Sequence, residues 1–266
     1  LTKRIRPMCY WFALSVVTFI SLVRARKAIA VSHYAARILS FNFHRFFKHK
    51  IRVVHHGMNQ PKEEMYRDTA SCRRILAVSD IYIQKNIHTL ISAFKLVRNK
   101  FPEVTLKLAG KAIDRSYLRE IQDAIYSAKL EDAVEFLGEK STDDLIELYQ
   151  SCALFLFPST VETFGNPLVE AMACGTPIVS SDRAAMPEIL EDAAKFFNPM
   201  DAKDMAETIL SVMENDEERQ KLAALALRRS KFFSWDKTVT ETASIFKSLV
   251  PTKSMSTDKK NKSHTN

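Results

Sequence analysis

The fold of this 266-residue chain is decided by the stretch FPSTVETFGNPLVEAMACGTPIVSS, which runs from Phe157 to Ser181. The apolar residues 153–157 lead into it and predict a buried strand, because the run is short, wholly apolar and closed by Pro158 and Ser159. Residues 159–165 predict a loop that ends at a glycine. The stretch therefore begins at the end of a strand and continues into the loop that leaves it.

A short helix is predicted after this loop. Asn166 occupies the position of an N-cap, and Pro167 suits the first helical position because it lacks an amide hydrogen and has a fixed φ. Gly175 lies just past the predicted helix end at Cys174, and residues 177–179 predict a second strand. In an open parallel sheet this order places the loop at the carboxyl edge, where the free N–H groups of the helix start point into the ligand crevice.

Two carboxylates flank this predicted helix start. Glu162 lies in the loop, and Glu170 lies about one turn inside the helix. The N–H groups favour anions, while carboxylates accept hydrogen bonds from hydroxyl groups. This combination suits a ligand that carries both phosphates and hydroxyls, as a nucleotide sugar does. A carboxylate that only complements the helix dipole is the alternative for Glu170, but it accounts poorly for Glu162.

Strands and helices alternate along most of the chain. Further strands are predicted at residues 75–79, 104–109, 134–137 and 195–197, and helices at 86–100, 115–129, 141–151, 201–214, 216–231 and 236–249. Six strands alternating with helices predict an α/β fold with a doubly wound, Rossmann-like parallel sheet. No GxGxxG or Walker sequence follows a strand, which argues against a dinucleotide dehydrogenase or a P-loop enzyme.

The first part of the chain predicts shorter elements. Strands are expected at residues 28–32 and 51–54, and a helix at 33–47. Residues 8–23 are uncharged and apolar, but this run is shorter than the ~20 residues that a membrane span requires. It predicts a packed helix or a helix on a membrane surface.

Composition restricts the class of protein without deciding it. The chain is 46% hydrophobic, has a formal net charge of +8, and contains four scattered cysteines without a CxxC pair. The charge suits an anionic substrate or an acidic membrane surface, and no nucleic-acid module surrounds the basic residues near 45–50. The cysteine pattern predicts neither a disulfide framework nor a metal site, and it favours a cytoplasmic location, with possible contact at the inner face of the membrane.

The central stretch resembles a known family. Glu162 and Glu170, within the longer string FPSxxExFGxPxxEAMAxGxPxV, resemble the E-x7-E signature of retaining glycosyltransferases of the GT-B fold, close to the family 4 type. The resemblance implies a metal-independent hexosyltransferase without a cofactor, whose substrates are a UDP-, GDP- or ADP-linked sugar and a glycan or lipid-linked acceptor. Nucleic acid is not an expected partner.

The same resemblance implies a division of the chain. Residues 1–59 are expected to be a remnant of a truncated, acceptor-side N-terminal domain, because Ser32 and the pair His56-Gly57 are similar to the elements that end it. Residues 60–73 are polar and predict a linker, residues 74–250 the nucleotide-sugar donor domain, and residues 251–266 a disordered tail.

Lys85 is the predicted cation of the site. It follows the first strand of the donor domain, and the resemblance implies that it holds the donor diphosphate and assists departure of the nucleotide. A solvated lysine near a helix start is the alternative. The family commonly has a Gly-Arg pair before this lysine, whereas this chain has Ser79 and Asp80 there. An anion replaces a cation, and Arg74 or Arg183 are candidates to compensate.

The resemblance assigns the remaining site residues. Glu162 is expected to act with Lys85 in catalysis through the hydroxyls of the donor sugar, and Glu170 to accept hydrogen bonds from the ribose. Backbone groups of the loop are expected to contact sugar and phosphate, and these residues are Thr163, Phe164, Gly165 and Asn166. The nucleotide base is expected near Gly138, Glu139, Lys140 and Gly110, although a plain turn is the alternative for both glycines.

The sequence thus predicts a glycosyltransferase, or the donor-binding part of one that truncation has inactivated. Two other functions fit the same pattern. One is a fragment that binds a nucleotide sugar without transferring it, which Asp80 favours. The other is a different enzyme on a similar fold, such as a sugar-nucleotide epimerase or a phosphorylase, although no lysine for a pyridoxal cofactor can be placed.

Overall fold

The computed structural model describes residues 2–43, 46–59 and 72–250. The predicted linker, apart from residues 72 and 73, and the predicted tail from residue 251 lie outside the described residues.

The N-terminal residues form a small unit beside the main sheet. Its elements are helix α1 (Thr2–Arg24), strand β1 (Ala28–Ala30), helix α2 (His33–Asn42) and strand β2 (Ile51–Val53). The two strands pair in parallel. Ser32 begins α2, because its hydroxyl accepts a hydrogen bond from the Ala35 amide at 2.9 Å. Among the described residues, no helix combines the length and the apolar character needed to cross a bilayer.

One prediction for this unit is wrong in detail, and for another the structure argues against one of the two alternatives. The helix predicted over 33–47 ends at Asn42, because Phe43 leaves the helical conformation and packs its ring 6.0 Å from that of Phe19 in α1. The apolar helix α1 is not packed over its described side chains: Leu22 is buried, whereas Phe12 is 72% exposed. Most of its described apolar surface therefore faces outward.

Six parallel strands form the main sheet. They are β3 (Arg74–Val78), β4 (Thr105–Ala109), β5 (Val134–Gly138), β6 (Leu154–Phe157), β7 (Ile178–Ser181) and β8 (Lys195–Phe197). Their order across the sheet is β5-β4-β3-β6-β7-β8, and every neighbouring pair is parallel. The chain therefore builds the sheet outward in one direction from β3 and then in the other direction from β6. The predicted doubly wound sheet is confirmed.

Helices cover both faces of this sheet, because successive strand residues point to opposite sides. Ile75 and Ala77 of β3 pack in one core and Leu76 and Val78 in the other. The first core includes residues of α3 (Ile87–Lys100), α4 (Arg115–Ala128) and α8 (Ala202–Met213). The second includes residues of α5 (Thr142–Ser151), α6 (Asn166–Ala173) and α7 (Met186–Leu190), and α9 (Asp216–Ser230) contributes to both.

The last helix, α10 (Trp235–Lys247), returns to the N-terminal unit. The Thr238 hydroxyl donates to the carbonyl oxygen of His55 at 2.8 Å, and the Met58 amide donates to the carbonyl oxygen of Phe233 at 3.2 Å. These bonds fix the strand-to-linker segment 54–59 against the start of α10. The N-terminal unit and the six-stranded domain are thus joined through α10 as well as along the chain.

Candidate active site

The reversal of strand order places a crevice between β3 and β6. These strands are neighbours, and the loops that leave their carboxyl ends diverge to opposite sides of the sheet. Lys85 lies in the loop after β3, and Glu162 in the loop after β6. The topology therefore brings together two predicted residues that are 77 positions apart.

Asn86 fixes the position of Lys85. Its side chain is fully buried and donates to the carbonyl oxygens of Pro158, at 3.1 Å, and Pro199, at 2.7 Å. These carbonyls follow β6 and β8, so one amide group ties three loops together at the carboxyl edge of the sheet. Asn86 itself adopts a left-handed conformation, with φ of 56°.

Lys85 and Glu162 form a largely buried ion pair. The ammonium nitrogen lies 2.5 Å from Glu162 Oε1, and the two side chains are only 12% and 16% exposed. Burial by itself lowers the pKa of Lys85, but the hydrogen bond to Glu162 and the charge of that carboxylate outweigh it, so the pKa is raised above 10.5. Lys85 is therefore a cation at any physiological pH.

The start of α6 differs from the prediction. Gly165 is the residue that precedes the helix, with φ of 87°, and Asn166 is the first helical residue instead of the N-cap. A left-handed conformation favours glycine, and the Asn166 side chain is engaged elsewhere, since its Oδ1 lies 3.1 Å from Nδ1 of His56. Among the described residues no side chain caps the helix. Pro167 has no amide hydrogen and the Leu168 amide donates to the carbonyl oxygen of Gly165 at 2.9 Å, so the Asn166 amide is the open backbone donor at the start of the helix.

The rest of the loop is held by contacts with the N-terminal unit. The Ser32 hydroxyl donates to the carbonyl oxygen of Thr163 at 2.6 Å. Phe164 is buried, and its ring centroid lies 4.8 Å from that of His56 and 5.7 Å from that of Phe233. Phe164 is thus a packing residue that shapes the loop.

Glu170 is paired with Tyr149, a residue that sequence reasoning missed. The Tyr149 hydroxyl donates to Glu170 Oε2 at 2.9 Å. Burial raises the pKa of Glu170 above 4.5, although the hydrogen bond from Tyr149 opposes this rise. Burial and the charge of Glu170 raise the pKa of Tyr149 well above its usual value, which keeps the phenol protonated as a donor. A tyrosine on the inner face of a predicted amphipathic helix was the available signal.

A cavity of about 700 Å³ opens beside this pair. It lies between α5, α6 and the segment that enters α10, and its walls include Glu170, Asn166, Phe164, Tyr149, His56 and Trp235. Lys85 and Glu162 do not line it. The predicted residues thus form two parts, an ion pair at the crevice and a carboxylate in the neighbouring cavity, with the start of α6 between them.

The predicted base-binding residues lie at the edge formed by β4 and β5. The Gly110 amide donates to the carbonyl oxygen of Gly138 at 2.8 Å, and a Cβ on Gly110 would lie 2.5 Å from the carbonyl carbon of Ser79. Gly110 therefore permits a close backbone contact between β3 and β4. Glu139 and Lys140 are exposed and do not line the cavity, whereas Thr142 does.

The cations proposed to compensate for Asp80 are already engaged. Asp80 Oδ1 accepts the Lys111 amide at 3.1 Å. Arg74 is the first residue of β3, at the opposite end of the strand from the crevice, and it donates to the carbonyl oxygen of Ser151. Arg183 lies after β7 and pairs with Asp182 at 3.0 Å. The suggestion that Arg74 compensates for Asp80 is therefore wrong, because Arg74 lies at the end of β3 away from the crevice.

Comparison with known proteins identifies the family of this chain. The family model for glycosyl transferases group 1 matches residues 70–229. O-antigen chain mannosyltransferase B of Escherichia coli is 31% identical over 170 residues, which cover 62% of this chain and 43% of that protein. An uncharacterized glycosyltransferase of Methanocaldococcus jannaschii, MJ1178, is 31% identical over 228 residues, which cover 84% of this chain and 60% of that protein. The chain thus spans only part of the length of these relatives.

Solved structures show the same fold. Anabaena Alr3699/HepE, determined in complex with UDP and glucose, superposes with a TM-score of 0.80 at 24% identity and covers 88% of this chain and 66% of its own. Sucrose-phosphate synthase (tll1590) from Thermosynechococcus elongatus has a TM-score of 0.74 at 23% identity, covering 87% and 61%. The parallel sheet of six strands flanked by helices matches the architecture of these glycosyltransferase structures.

Proposed function

The chain belongs to the glycosyl transferases group 1, and from this premise we propose that it binds a nucleoside diphosphate sugar and donates the sugar to an acceptor. The observation that carries the proposal is the buried pair of Lys85 and Glu162 at the crevice between β3 and β6, next to the uncapped start of α6. A cation, the Asn166 amide and the positive end of a helix dipole at this edge of a parallel sheet suit a diphosphate.

In the proposed reaction the bond between the sugar C1 and the diphosphate oxygen breaks, a bond from C1 to an acceptor hydroxyl oxygen forms, and the proton of that hydroxyl passes to the departing diphosphate. Lys85, the Asn166 amide and the dipole of α6 stabilise the negative charge that develops on the departing diphosphate. Glu162 orients Lys85 and accepts hydrogen bonds from the donor sugar. Glu170 is held by Tyr149 at the wall of the cavity, and its carboxylate accepts hydrogen bonds from the ribose hydroxyls. Protein cations here supply the charge that a metal supplies in other transferases.

Two finer features extend this proposal. We expect transfer with retention of the anomeric configuration, as the E-x7-E pattern of Glu162 and Glu170 implies, and without a requirement for a divalent metal. The anomeric configuration of the product, read by NMR, tests the first. An assay with and without EDTA tests the second, and a complete loss of transfer with EDTA would refute metal independence.

Calorimetric titration with UDP, GDP and ADP tests the donor site directly. UDP is the first choice, because Alr3699/HepE was determined with UDP and with UDP-glucose. We expect saturable binding of one nucleotide, weakened about 10- to 100-fold by Lys85→Ala or Glu170→Ala, which corresponds to one charge-assisted hydrogen bond.

Lys95→Ala and Glu207→Ala are matched controls for this titration. Both residues are exposed, on α3 and α8 respectively, and neither lines the cavity. We expect both control variants to bind as the unmodified chain does. No binding by a folded chain, or equal losses in site and control variants, would reject the donor site.

Binding without transfer is the second candidate function, and Asp80 is the observation that favours it. Its carboxylate lies at the crevice edge, where it accepts the Lys111 amide, so the second phosphate-binding cation of the family has no equivalent there. Saturable nucleotide binding without a transferred product, under conditions in which a transferase relative is active, would favour this function over catalysis.

We propose further that the acceptor is a glycan or a lipid-linked glycan, reached at a membrane surface. The apolar side chains exposed on α1 include Phe12, Val17 and Val23, and basic residues Arg24 and Lys27 follow them. An apolar face with basic ends suits an anionic bilayer surface. Co-sedimentation with phosphatidylglycerol vesicles, but not with phosphatidylcholine vesicles, is the expected result, and absence of binding to both would reject membrane contact.

A further inference from the structure

The N-terminal unit has an unusual charge distribution. Residues 1–59 contain 11 lysine and arginine residues and no aspartate or glutamate. The other 207 residues carry 28 basic and 31 acidic residues, which is a net charge of −3. The positive charge of the whole chain therefore resides in this unit.

A second cavity, of about 750 Å³, lies where this unit meets α10. Its walls come from one face of α2, from β2 and from the first turns of α10. Four cationic side chains line it, and these are Arg37, Lys48, Arg52 and Lys237. Two imidazoles, His33 and His55, and one carboxylate, Glu241, complete its titratable groups among the described residues.

These four cations lack carboxylate partners. Within residues 12–43, 46–59 and 72–250, none of them lies within 4.0 Å of an aspartate or glutamate oxygen. By contrast, cations on the six-stranded domain such as Arg98 and Arg228 form ion pairs at 2.7 Å. Like charges gathered around a cavity repel one another, so the arrangement favours an anionic occupant.

Apart from Ser40, apolar side chains form the rest of the lining. Phe41, Ile51, Val53 and Phe232 contribute to the walls, and the Lys237 ammonium lies 3.3 Å from the centroid of the Phe232 ring. A site that binds only a hydrated inorganic anion does not need such walls. The lining therefore suits an anion attached to a hydrocarbon group.

A wall of packed rings separates this cavity from the one beside Glu170. The His55 ring lies 6.1 Å from Phe164 and 5.9 Å from Phe233, and its Nε2 lies 3.2 Å from Glu188 Oε1. His55 lines the basic cavity, whereas the next residue, His56, lines the cavity of Glu170. The two spaces are therefore distinct, and occupation of one leaves the other open.

We propose that the basic cavity between α2, β2 and α10 binds an alkyl phosphate, with the phosphate among Arg37, Lys48, Arg52 and Lys237 and the alkyl chain against Phe41 and Phe232. Guanidinium and ammonium groups that have no carboxylate partner can neutralise a phosphate monoester, and charge-assisted hydrogen bonds to phosphate are among the strongest that proteins make. The site is separate from the proposed donor site and does not depend on it.

Calorimetric titration of the whole chain with hexyl phosphate, inorganic phosphate and 1-hexanol tests this proposal. We expect saturable binding of hexyl phosphate, at least tenfold tighter than that of inorganic phosphate, and none of 1-hexanol. Saturating UDP should leave the hexyl phosphate affinity unchanged, because the ring wall separates the cavities. Equal affinity for both phosphates would overturn the alkyl part of the site, and would point instead to a site for free phosphate.

Two variants with the same loss of charge provide the decisive comparison. Arg37→Gln/Lys48→Gln removes two cations of the cavity, and Lys95→Gln/Lys247→Gln removes two exposed cations outside it. We expect the first to weaken hexyl phosphate binding about tenfold or more and the second to leave it unchanged. Equal losses in both would show a diffuse effect of net charge and overturn the proposal. Circular dichroism confirms that each variant is folded.

Discussion

At the scale of single residues, Glu170 is a carboxylate whose burial destabilises its ionised form and therefore the folded chain. Burial raises its pKa above 4.5, so between 4.5 and the folded pKa the folded chain binds more protons than the unfolded chain. The free energy of unfolding therefore falls as pH rises through this window. Such a cost is expected where a buried carboxylate is kept to accept hydroxyl groups of a ligand.

Glu170→Gln removes this charge and should stabilise the chain at pH 7.5 while weakening nucleotide binding. The gain in unfolding free energy should shrink toward zero as the pH falls below 4.5, where the carboxyl is protonated in both states. Urea denaturation at several pH values measures this gain in unfolding free energy. Glu207→Gln, which changes an exposed carboxylate, is the matched control. A variant less stable than the unmodified chain at pH 7.5 would mean that the hydrogen bond from Tyr149 outweighs the cost of burial.

The pair of Lys85 and Glu162 shows what sequence reasoning reaches and what it does not. Both residues were predicted as site residues from a motif, but their contact depends on β3 and β6 being neighbours in the sheet. The pairing places a buried cation and anion next to the start of α6. A diphosphate would therefore meet Lys85 already oriented by Glu162, with little side-chain entropy left to lose.

At the scale of elements, Glu188 of α7 anchors helix α2. Its two carboxylate oxygens accept the amides of His33 and Tyr34 at 2.7 and 2.8 Å, and one of them also contacts His55. Burial tends to raise its pKa, but these donors outweigh burial, and the net pKa lies below 4.5. Its contribution to stability is thus present above 4.5 and is lost as pH falls through the lower folded value.

Glu188→Ala should cost about 2 kcal/mol of unfolding free energy at pH 7, as expected for hydrogen bonds to a charged acceptor. Hydrogen exchange should accelerate at the amides of His33 and Tyr34. Asp192→Ala, which removes an exposed partner of Arg228, should cost less than about 1 kcal/mol. Unchanged exchange at the α2 amides would contradict the anchoring role.

The element boundaries reveal why prediction succeeds in some places. The S-T-D-D sequence at the start of α5 forms a capping box, since Ser141 and Asp144 bond each other's backbone. Such caps depend on residues three positions apart. The prediction that Asn166 caps α6 was wrong, because the Asn166 side chain contacts His56, which is 110 positions away in the sequence. The six strands were predictable from local apolar runs, whereas their order and the Tyr149–Glu170 contact arise from packing between elements.

At the scale of the whole molecule, Gly57 controls how the N-terminal unit rests on the six-stranded domain. A Cβ at this position would lie 2.5 Å from the Cα atom of Trp235, at the start of α10. The obstacle is backbone, which cannot rotate away, so a larger residue must displace segment 54–59 from α10. Gly57 and Trp235 both line the cavity beside Glu170, so the displacement would also change the proposed donor site.

Gly57→Ala should therefore cost about 1–3 kcal/mol of unfolding free energy through overpacking, and should weaken nucleotide binding as well. Gly138→Ala is the informative comparison, because its Cβ would meet no atom within 4 Å, although φ of 69° imposes a backbone cost of about 1 kcal/mol. Urea denaturation compares the two costs, and hydrogen exchange at residues 58 and 238 reports on the junction. Faster exchange there in Gly57→Ala alone is expected. If exchange at residues 58 and 238 is as slow in Gly57→Ala as in Gly138→Ala and in the unmodified chain, the junction tolerates the added methyl group. The shape of the cavity would then be set by the six-stranded domain alone.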